Sequence, residues 1–214
     1  MQISKQVIST GIFVLLFGPA AGAANLEAGK ALVMQGNGKA TACVACHGAQ
    51  GAGNAQASFP QLARLNADYL AKQLRDFQRG TRKDAVMQPV ARALSDNEIT
   101  DVSAYFAAQR PPVPTTTADS KLLARGELRV TSGFWEKDVP ACVSCHGSAG
   151  RGVGANFPAL AGQHASYIAK QLNAWRSGAR ANDPQGLMKG IAVRLPANDI
   201  PAVSAYLASL PPAP

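Results

Sequence analysis

Aromatic side chains, charged residues and long apolar segments are all scarce in this sequence. Aromatic residues make up 6% and charged residues 16% of the 214-residue chain. Apolar residues nevertheless reach 47%, which excludes an intrinsically disordered chain because such chains lack the apolar surface that a core requires. Residues 7–17 form the one long apolar run, and it is too short to cross a bilayer, which needs about 20 helical residues. The composition predicts a folded protein of one domain or two small ones.

The first 23 residues have the pattern of a secretory signal peptide. Lys5 is their single charged residue, it precedes the apolar run, and small residues follow at 21–23. A cation, a short apolar segment and a small-residue cleavage site in this order are typical of exported proteins. A buried helix, the alternative, would require neither the lone cation nor the small residues. We expect cleavage near Ala24 and export to the periplasm, an oxidising compartment.

The sequence contains an internal repeat. Residues 59–63 (FPQLA) recur at 157–161 as FPALA, and residues 69–74 (YLAKQL) recur at 167–172 as YIAKQL. Self-similarity at one offset indicates two copies of one domain. Three prolines in four positions between the copies favour extended geometry and predict a semi-rigid linker. The chain is therefore divided into a signal peptide (1–23), an N-terminal domain (24–110), a linker (111–119) and a C-terminal domain (120–214).

Each copy is predicted to be all-α. Apolar residues recur at helical spacing, and strand-like alternation of apolar and polar residues is absent. Ser95 and Glu98 have the spacing of a capping box, which predicts the start of the last helix of the first copy. Pro196 and Pro201 replace Ser95 and Thr100 in the second copy. The last helix of the second copy is therefore expected to begin later.

Two loops are predicted at equivalent positions of the copies. Residues 49–58 and 147–156 are rich in Gly, Ala and Ser. Loops of this length are uncommon in small domains unless they have a function. We expect them to run over a large group that is not protein.

All four cysteines lie in two C-x-x-C-H motifs. The motifs consist of Cys43, Cys46 and His47, and of Cys142, Cys145 and His146. C-x-x-C-H is the attachment motif of c-type haem, because one helical turn brings both thiols to the same edge of the porphyrin and places the imidazole beneath the iron. A redox disulfide is expected near a βαβ pattern, which this sequence lacks, and a zinc site needs a fourth ligand. We predict two covalently bound haem c groups.

Met87 and Met188 are the predicted sixth ligands of the two irons. They lie 40 and 42 residues after His47 and His146, in predicted loops ahead of the last helix of each copy. Met34 lies in or just after the first helix, where a core position is expected. An iron held by histidine and methionine is closed to substrates and has a raised potential, which favours electron transfer over catalysis.

The remaining histidine and the two tryptophans are predicted to have no ligand role. His164 corresponds to Asn66 in the first copy, so we expect an exposed histidine at a helix start. Trp175 corresponds to Phe77, which favours packing over electron relay. Packing is also the prediction for Trp135.

In combination, these features resemble the class I cytochromes c, and specifically the exported two-haem cytochromes c4. The resemblance rests on the two C-x-x-C-H motifs, the F-P-x-L-A and Y-x-A-K-Q-L repeats and the M-x-x-(V/I)-A segments. It implies two tandem cytochrome c domains, each with its first helix crossing its last. Gly29 and Gly126 would allow this close approach near Tyr105 and Tyr206. The implied function is non-enzymatic, the transfer of single electrons between respiratory complexes, from a cytochrome bc complex to a terminal oxidase.

The charge pattern limits the expected partners. The formal net charge is +8, but basic and acidic residues are interleaved and the longest basic run is Arg82-Lys83. Nucleic acid is therefore not an expected partner, whereas a mildly positive face suits acidic membrane complexes. The sequence leaves peripheral membrane association open. The alternative functions are a peroxidase-like dihaem oxidoreductase, which needs an open iron, and the haem subunit of a dehydrogenase complex.

Overall fold

The computed structural model describes residues 23–112 and 118–212, and its regular elements within these ranges are helices joined by loops. Most of the predicted signal peptide and the centre of the predicted linker lie outside the described residues. The α-helices are α1 (Leu26–Gln35), α2 (Val44–His47), α3 (Ala67–Arg79), α4 (Met87–Arg92), α5 (Asp96–Ala108), α6 (Ser120–Ser132), α7 (Cys142–His146), α8 (Ala165–Ser177), α9 (Leu187–Arg194) and α10 (Ile200–Ser209).

The order of helices in the first half, α1 to α5, is repeated in the second half, α6 to α10. Within the described ranges, β pairing is limited to four isolated bridges. The prediction of an all-α fold is therefore confirmed. None of the helices in the described part of the chain is both long and apolar enough to span a membrane.

In each domain the first helix crosses the last at very short range. A Cβ added to Gly29 would lie 2.4 Å from the carbonyl oxygen of Asp101, and one added to Gly126 would lie 2.1 Å from that of Ala202. Glycine is therefore required at both crossings. The neighbouring side chains on the last helices are Tyr105 and Tyr206, as the resemblance implied.

The last helices of the two domains begin differently. The Ser95 N–H donates to the Glu98 carboxylate at 2.7 Å, and the Glu98 N–H donates to the Ser95 hydroxyl at 3.3 Å, which completes the predicted capping box. In the second domain, Ala197–Asp199 form a 3₁₀ turn and α10 begins at Ile200. The later start is confirmed, and its reason is the absence of a capping hydroxyl at Pro196.

Each domain has its own apolar core. It lies between α1, α3 and α5 in the N-terminal domain and between α6, α8 and α10 in the C-terminal domain. The N-terminal core includes Leu32, Val33, Leu70, Ile99, Val102 and Phe106. The C-terminal core includes Val130, Ile168, Leu172, Ile200, Val203 and Leu207.

Two predicted core residues lie at the surface instead. Met34 is 44% exposed, because α1 buries the face that carries Leu32 and Val33. Trp135 is 69% exposed, because Phe134 packs against the core and the next side chain of the 3₁₀ turn points away from it. The packing predictions for Met34 and Trp135 are wrong.

The glycine-rich loops contact protein where their glycines are most constrained. Gly51 has a φ of +67°, and a Cβ added there would lie 2.6 Å from the Cδ1 atom of Phe106. Residues 148–150 of the second loop form a 3₁₀ turn. The low side-chain content of these loops is therefore explained in part by their packing on the last helix, and the expectation that they also run over a group that is not protein stays a prediction.

The two domains meet at a polar interface. The Gln61 N–H donates to the Gln163 side-chain oxygen at 2.9 Å, and the Gln163 amide donates back to the Gln61 carbonyl at 2.9 Å. The Nε2 atom of His164 lies 2.9 Å from the Ala52 carbonyl oxygen, and His164 is half-buried. The prediction of an exposed His164 is wrong because the start of α8 packs against the glycine-rich loop of the other domain.

Candidate haem-binding sites

Each C-x-x-C-H motif forms a single helical turn. The first motif ends in α2 and the second coincides with α7. The His47 N–H donates to the Cys43 carbonyl at 2.9 Å. Because residues three apart lie on the same side of a helix, the turn places both cysteines of a motif on one side.

The two histidines are buried and oriented in the same way. His47 and His146 are each 6% exposed. Their Nδ1 atoms lie 3.1 Å from the Pro60 carbonyl oxygen and 2.8 Å from the Pro158 carbonyl oxygen. A carbonyl only accepts, so Nδ1 carries the proton and Nε2 keeps its lone pair for a metal. The repeated F-P-x-L-A segment supplies these carbonyls, a role that the sequence analysis did not identify.

Burial favours the neutral form of the histidine and of the first cysteine in each motif. It lowers the pKa of His47 and of His146, and it outweighs the proline carbonyls, which raise the pKa. Burial also raises the pKa of the Cys43 thiol, and it raises that of Cys142 to about 11. A neutral imidazole can ligate a metal, whereas neutral thiols are poor metal ligands.

The structure does not favour the two alternative uses of the cysteines. The four cysteines form no disulfide with one another. Among residues 23–112 and 118–212, no three His, Cys, Asp or Glu side chains converge as a metal site. The redox-disulfide and zinc interpretations therefore have no support in the geometry.

Both predicted methionine ligands lie at helix starts rather than in loops. Met87 is the first residue of α4 and Met188 the second residue of α9. Pro89 is compatible with α4 because the first turn of a helix needs no N–H donor. Aspartates of the preceding segment fix both starts: Asp84 accepts from the Met87 N–H at 3.0 Å, and Asp183 accepts at 2.9 Å from the N–H that follows Met188.

A side chain from the preceding long helix holds the end of each methionine-bearing helix. Gln78 of α3 makes these contacts in the first domain, and Arg176 of α8 makes them in the second. The acceptors are the carbonyls of Ala91 and Leu94 for Gln78, and those of Ala192 and Leu195 for Arg176. The positions are equivalent in the repeat, but the second domain uses a charged donor.

A buried polar atom of the second domain has no partner among the described residues. The Trp175 Nε1 atom is buried without a hydrogen bond, and its side chain packs against the same core cluster as Cys142 and Met188. Buried N–H groups are nearly always hydrogen-bonded, so this indole suits an acidic group of a bound macrocycle. Together with thiols, a neutral imidazole and a thioether, it fits a haem.

Comparisons with known proteins agree with this geometry. The model of the Cytochrome c family matches residues 26–109 and 134–211. A protein of Stutzerimonas stutzeri strain A1501 named "Thiosulfate dehydrogenase electron acceptor" is 45% identical over 94% of this chain and 93% of its own length. The reduced cytochrome c4 of Pseudomonas stutzeri has a TM-score of 0.77 and 38% identity over 88% of this chain and 100% of its own.

A longer protein contains a similar segment. The thiosulfate dehydrogenase TsdBA of Marichromatium purpuratum has a TM-score of 0.81 and 41% identity, over 87% of this chain and 40% of its own. This chain therefore spans less than half of that protein.

Proposed function

We propose, from the premise that this chain belongs to the cytochrome c family, that it accepts electrons from a thiosulfate dehydrogenase and passes them on singly. Members of the family bind haem covalently, so the two domains carry two haem c groups and the chain transfers electrons. The finer proposal is carried by the 45% identity, over nearly the whole length, to a thiosulfate dehydrogenase electron acceptor. The likeness to part of TsdBA supports the same donor.

Within this proposal, each residue of the motifs has a defined role. Cys43 and Cys46 attach the first haem, and Cys142 and Cys145 attach the second. His47 and Met87 ligate the first iron, and His146 and Met188 ligate the second.

The residues around each ligand pair keep it fixed. The haem supplies one-electron redox chemistry when bound. The proline carbonyls orient the imidazoles, and the aspartate caps of α4 and α9 hold the methionines in place. An iron held by both a histidine and a methionine would have no open position for a substrate, and this supports a carrier over a peroxidase-like enzyme.

The proposal also includes a cellular location and an electron acceptor. The signal-peptide pattern supports a periplasmic location. A terminal oxidase is the proposed electron acceptor, and the dehydrogenase takes the place of the cytochrome bc complex as the proposed donor. The positive formal charge of +8 supports docking to acidic complexes.

The proposed function can be tested by following the reduction of the two haems in the absence of oxygen. The purified oxidised protein is mixed with a thiosulfate dehydrogenase, and thiosulfate is added. We expect both haems to be reduced only when the dehydrogenase is present. Reduction by thiosulfate alone would contradict the carrier function, and reduction by a cytochrome bc complex but not by the dehydrogenase would contradict the proposed donor.

A second experiment tests the methionine ligands. Met87→Ala and Met188→Ala are each expected to abolish the sulfur-to-iron absorption of one ferric haem and to lower its potential, because the thioether favours ferrous iron. Met34→Ala is the control, since Met34 is exposed. An unchanged spectrum in either ligand variant would reassign that ligand, and high-spin iron in the unmodified protein would favour the peroxidase alternative.

A further inference from the structure

Two side chains at the start of α8, in the C-terminal domain, hold the glycine-rich loop of the N-terminal domain. The His164 Nε2 atom lies 2.9 Å from the Ala52 carbonyl oxygen. A carbonyl only accepts, so Nε2 carries the proton and donates. The Ser166 hydroxyl donates to the Ala55 carbonyl at 2.6 Å. The centre of the loop is therefore attached to the other domain at two points.

A buried pair of glutamines attaches the residue that follows this loop segment. Gln61 and Gln163 are 7% and 6% exposed. The Gln61 backbone N–H donates to the Gln163 side-chain oxygen, and the Gln163 amide donates to the Gln61 carbonyl, both at 2.9 Å. Because buried polar groups are nearly always hydrogen-bonded, this reciprocal pair fixes Gln61 relative to the C-terminal domain. We call Gln163, His164 and Ser166 the clamp residues.

The segment held by the clamp residues also orients the histidine of the first haem site. The His47 Nδ1 atom lies 3.1 Å from the carbonyl oxygen of Pro60, which directly precedes Gln61. The Gly53 N–H, next to Ala52, donates to the His47 carbonyl at 2.9 Å. Both contacts to His47 therefore come from residues adjacent to those that the C-terminal domain holds.

The equivalent residues of the N-terminal domain are of types that cannot form the same clamp. They are Leu65, Asn66 and Asp68, 98 positions earlier. Leu65 belongs to the apolar core, and the Asn66 side chain caps α3 by accepting from the Tyr69 N–H at 3.1 Å. An aspartate carboxylate only accepts, so Asp68 has no proton to donate to a carbonyl. Among residues 23–112 and 118–212, the clamp therefore has no counterpart that acts on the second glycine-rich loop.

The start of α8 shows that His164 serves the contact between the domains rather than its own helix. Asparagine, aspartate, serine and threonine are the preferred side chains at this position of a helix, because their oxygens accept from the first free N–H groups. His164 makes no such side-chain bond to α8, and its ring is directed to Ala52 instead. The contact with the loop, and not helix capping, accounts for the residue found here.

We propose that the clamp residues are positioning residues for the His47 imidazole, and that this dependence runs in one direction, from the C-terminal domain to the first haem site. The proposal rests on the proposed role of His47 as an iron ligand. The Nδ1 hydrogen bond of a ligating histidine fixes the orientation of the ring and raises its basicity. By holding the segment that includes Pro60, the clamp residues keep this bond formed.

The test is hydrogen exchange measured by NMR on the full-length holoprotein after chemical reduction. His164→Asn removes the contact with the loop but introduces a strong helix cap, so α8 is not weakened. We expect the His47 Nδ1 proton and the Gly53 amide to exchange faster by up to about tenfold, the factor that one hydrogen bond is worth. The equivalent probes of the second domain, the His146 Nδ1 proton and the Gly152 amide, should not change.

A second variant and a matched control keep the result specific to the clamp. Ser166→Ala removes a single hydroxyl and should accelerate the same two probes of the N-terminal domain. Ser177→Ala is the control, because the Ser177 hydroxyl lies at the other end of α8 and donates to the Ala174 carbonyl of its own helix. It should change no probe.

Two outcomes would overturn the proposal. Equal acceleration in both domains would show a general loss of stability, and unchanged exchange at His47 and Gly53 in both clamp variants would show that the clamp does not position the imidazole. The Gly53 amide reports on the loop whatever ligates the iron, and the reductant is chemical. The result is therefore independent of the proposed dehydrogenase partner.

Discussion

The two domains stabilise the crossing of their first and last helices with different kinds of interaction. In the C-terminal domain, the Asp199 side chain is fully buried between α6 and α10, where it accepts from the Nε atoms of Arg125 and Arg129. The Arg129 contact measures 3.0 Å, and the side chain of Arg125 is 49% exposed. This crossing depends on a buried ionic cluster.

Among residues 24–110, which the structure describes, no such cluster lies at the crossing of the N-terminal domain. Leu32, at the position that corresponds to Arg129, belongs to the apolar core. The polar contacts lie at the surface: the Asn25 N–H donates to Asp101 at 2.7 Å, and the Asn37 amide donates to Glu98 at 2.9 Å. Duplication has preserved the glycine that permits the crossing, while the groups that stabilise it have diverged.

The largest expected difference follows from removing the buried carboxylate. Asp199→Ala leaves two arginines without a partner, and we expect it to destabilise the C-terminal domain by about 3 kcal/mol, the lower end for a broken buried pair because Arg125 is half-exposed. Glu98→Ala, its counterpart, is expected to cost about 1 kcal/mol or less, as for a surface cap. Hydrogen exchange of α6 and α10 against α1 and α5 measures both, and equal losses would contradict the comparison.

An intermediate difference is expected at the helices that carry the methionines. Arg176→Ala removes charged hydrogen bonds, each worth about 1.5–3 kcal/mol, whereas Gln78→Ala removes neutral ones, each worth about 0.5–1.5 kcal/mol. With Met87 and Met188 as the proposed ligands, loosening the helix would free an iron position, so the affinity of ferric haem for added imidazole should rise more in the Arg176 variant. Haem-resolved spectra during an imidazole titration provide the measurement. A larger rise in the Gln78 variant would be inconsistent with the assigned contacts.

The smallest expected difference concerns acid stability. The Ser95 backbone N–H, followed by the Asn37 amide and the Ser95 hydroxyl, lowers the pKa of Glu98 below its ordinary value. The stabilisation by ionised Glu98 is therefore complete above about pH 4.3, the ordinary value of a glutamate, and is lost as the pH falls through the lower folded value.

Glu98→Gln should remove this contribution from the N-terminal domain alone, since Pro196 stands where the capping serine would be. Urea unfolding followed separately at the two haems, above and below pH 4.3, provides the measurement. An equal change in the acid sensitivity of both domains would refute the assignment.

Features that depend on neighbouring residues could be predicted from the sequence. The C-x-x-C-H turns, the Ser95 capping box and the later start of α10 after Pro196 each involve groups within a few positions of one another. The repeat extended these local predictions to the second domain. Chain-local chemistry and duplication thus determined the helical fold and the two haem sites.

Tertiary structure alone decided the contacts between distant parts of the chain. The Arg180–Gln73 contact joins residues 107 positions apart, and the His164–Ala52 contact joins residues 112 positions apart. The expectation of an exposed His164 came from its correspondence to Asn66, which gives no information about contacts between the domains. The burial and electrostatics of such groups depend on which surfaces the folded domains bring together, because the energy of a charge is set by the groups around it in space.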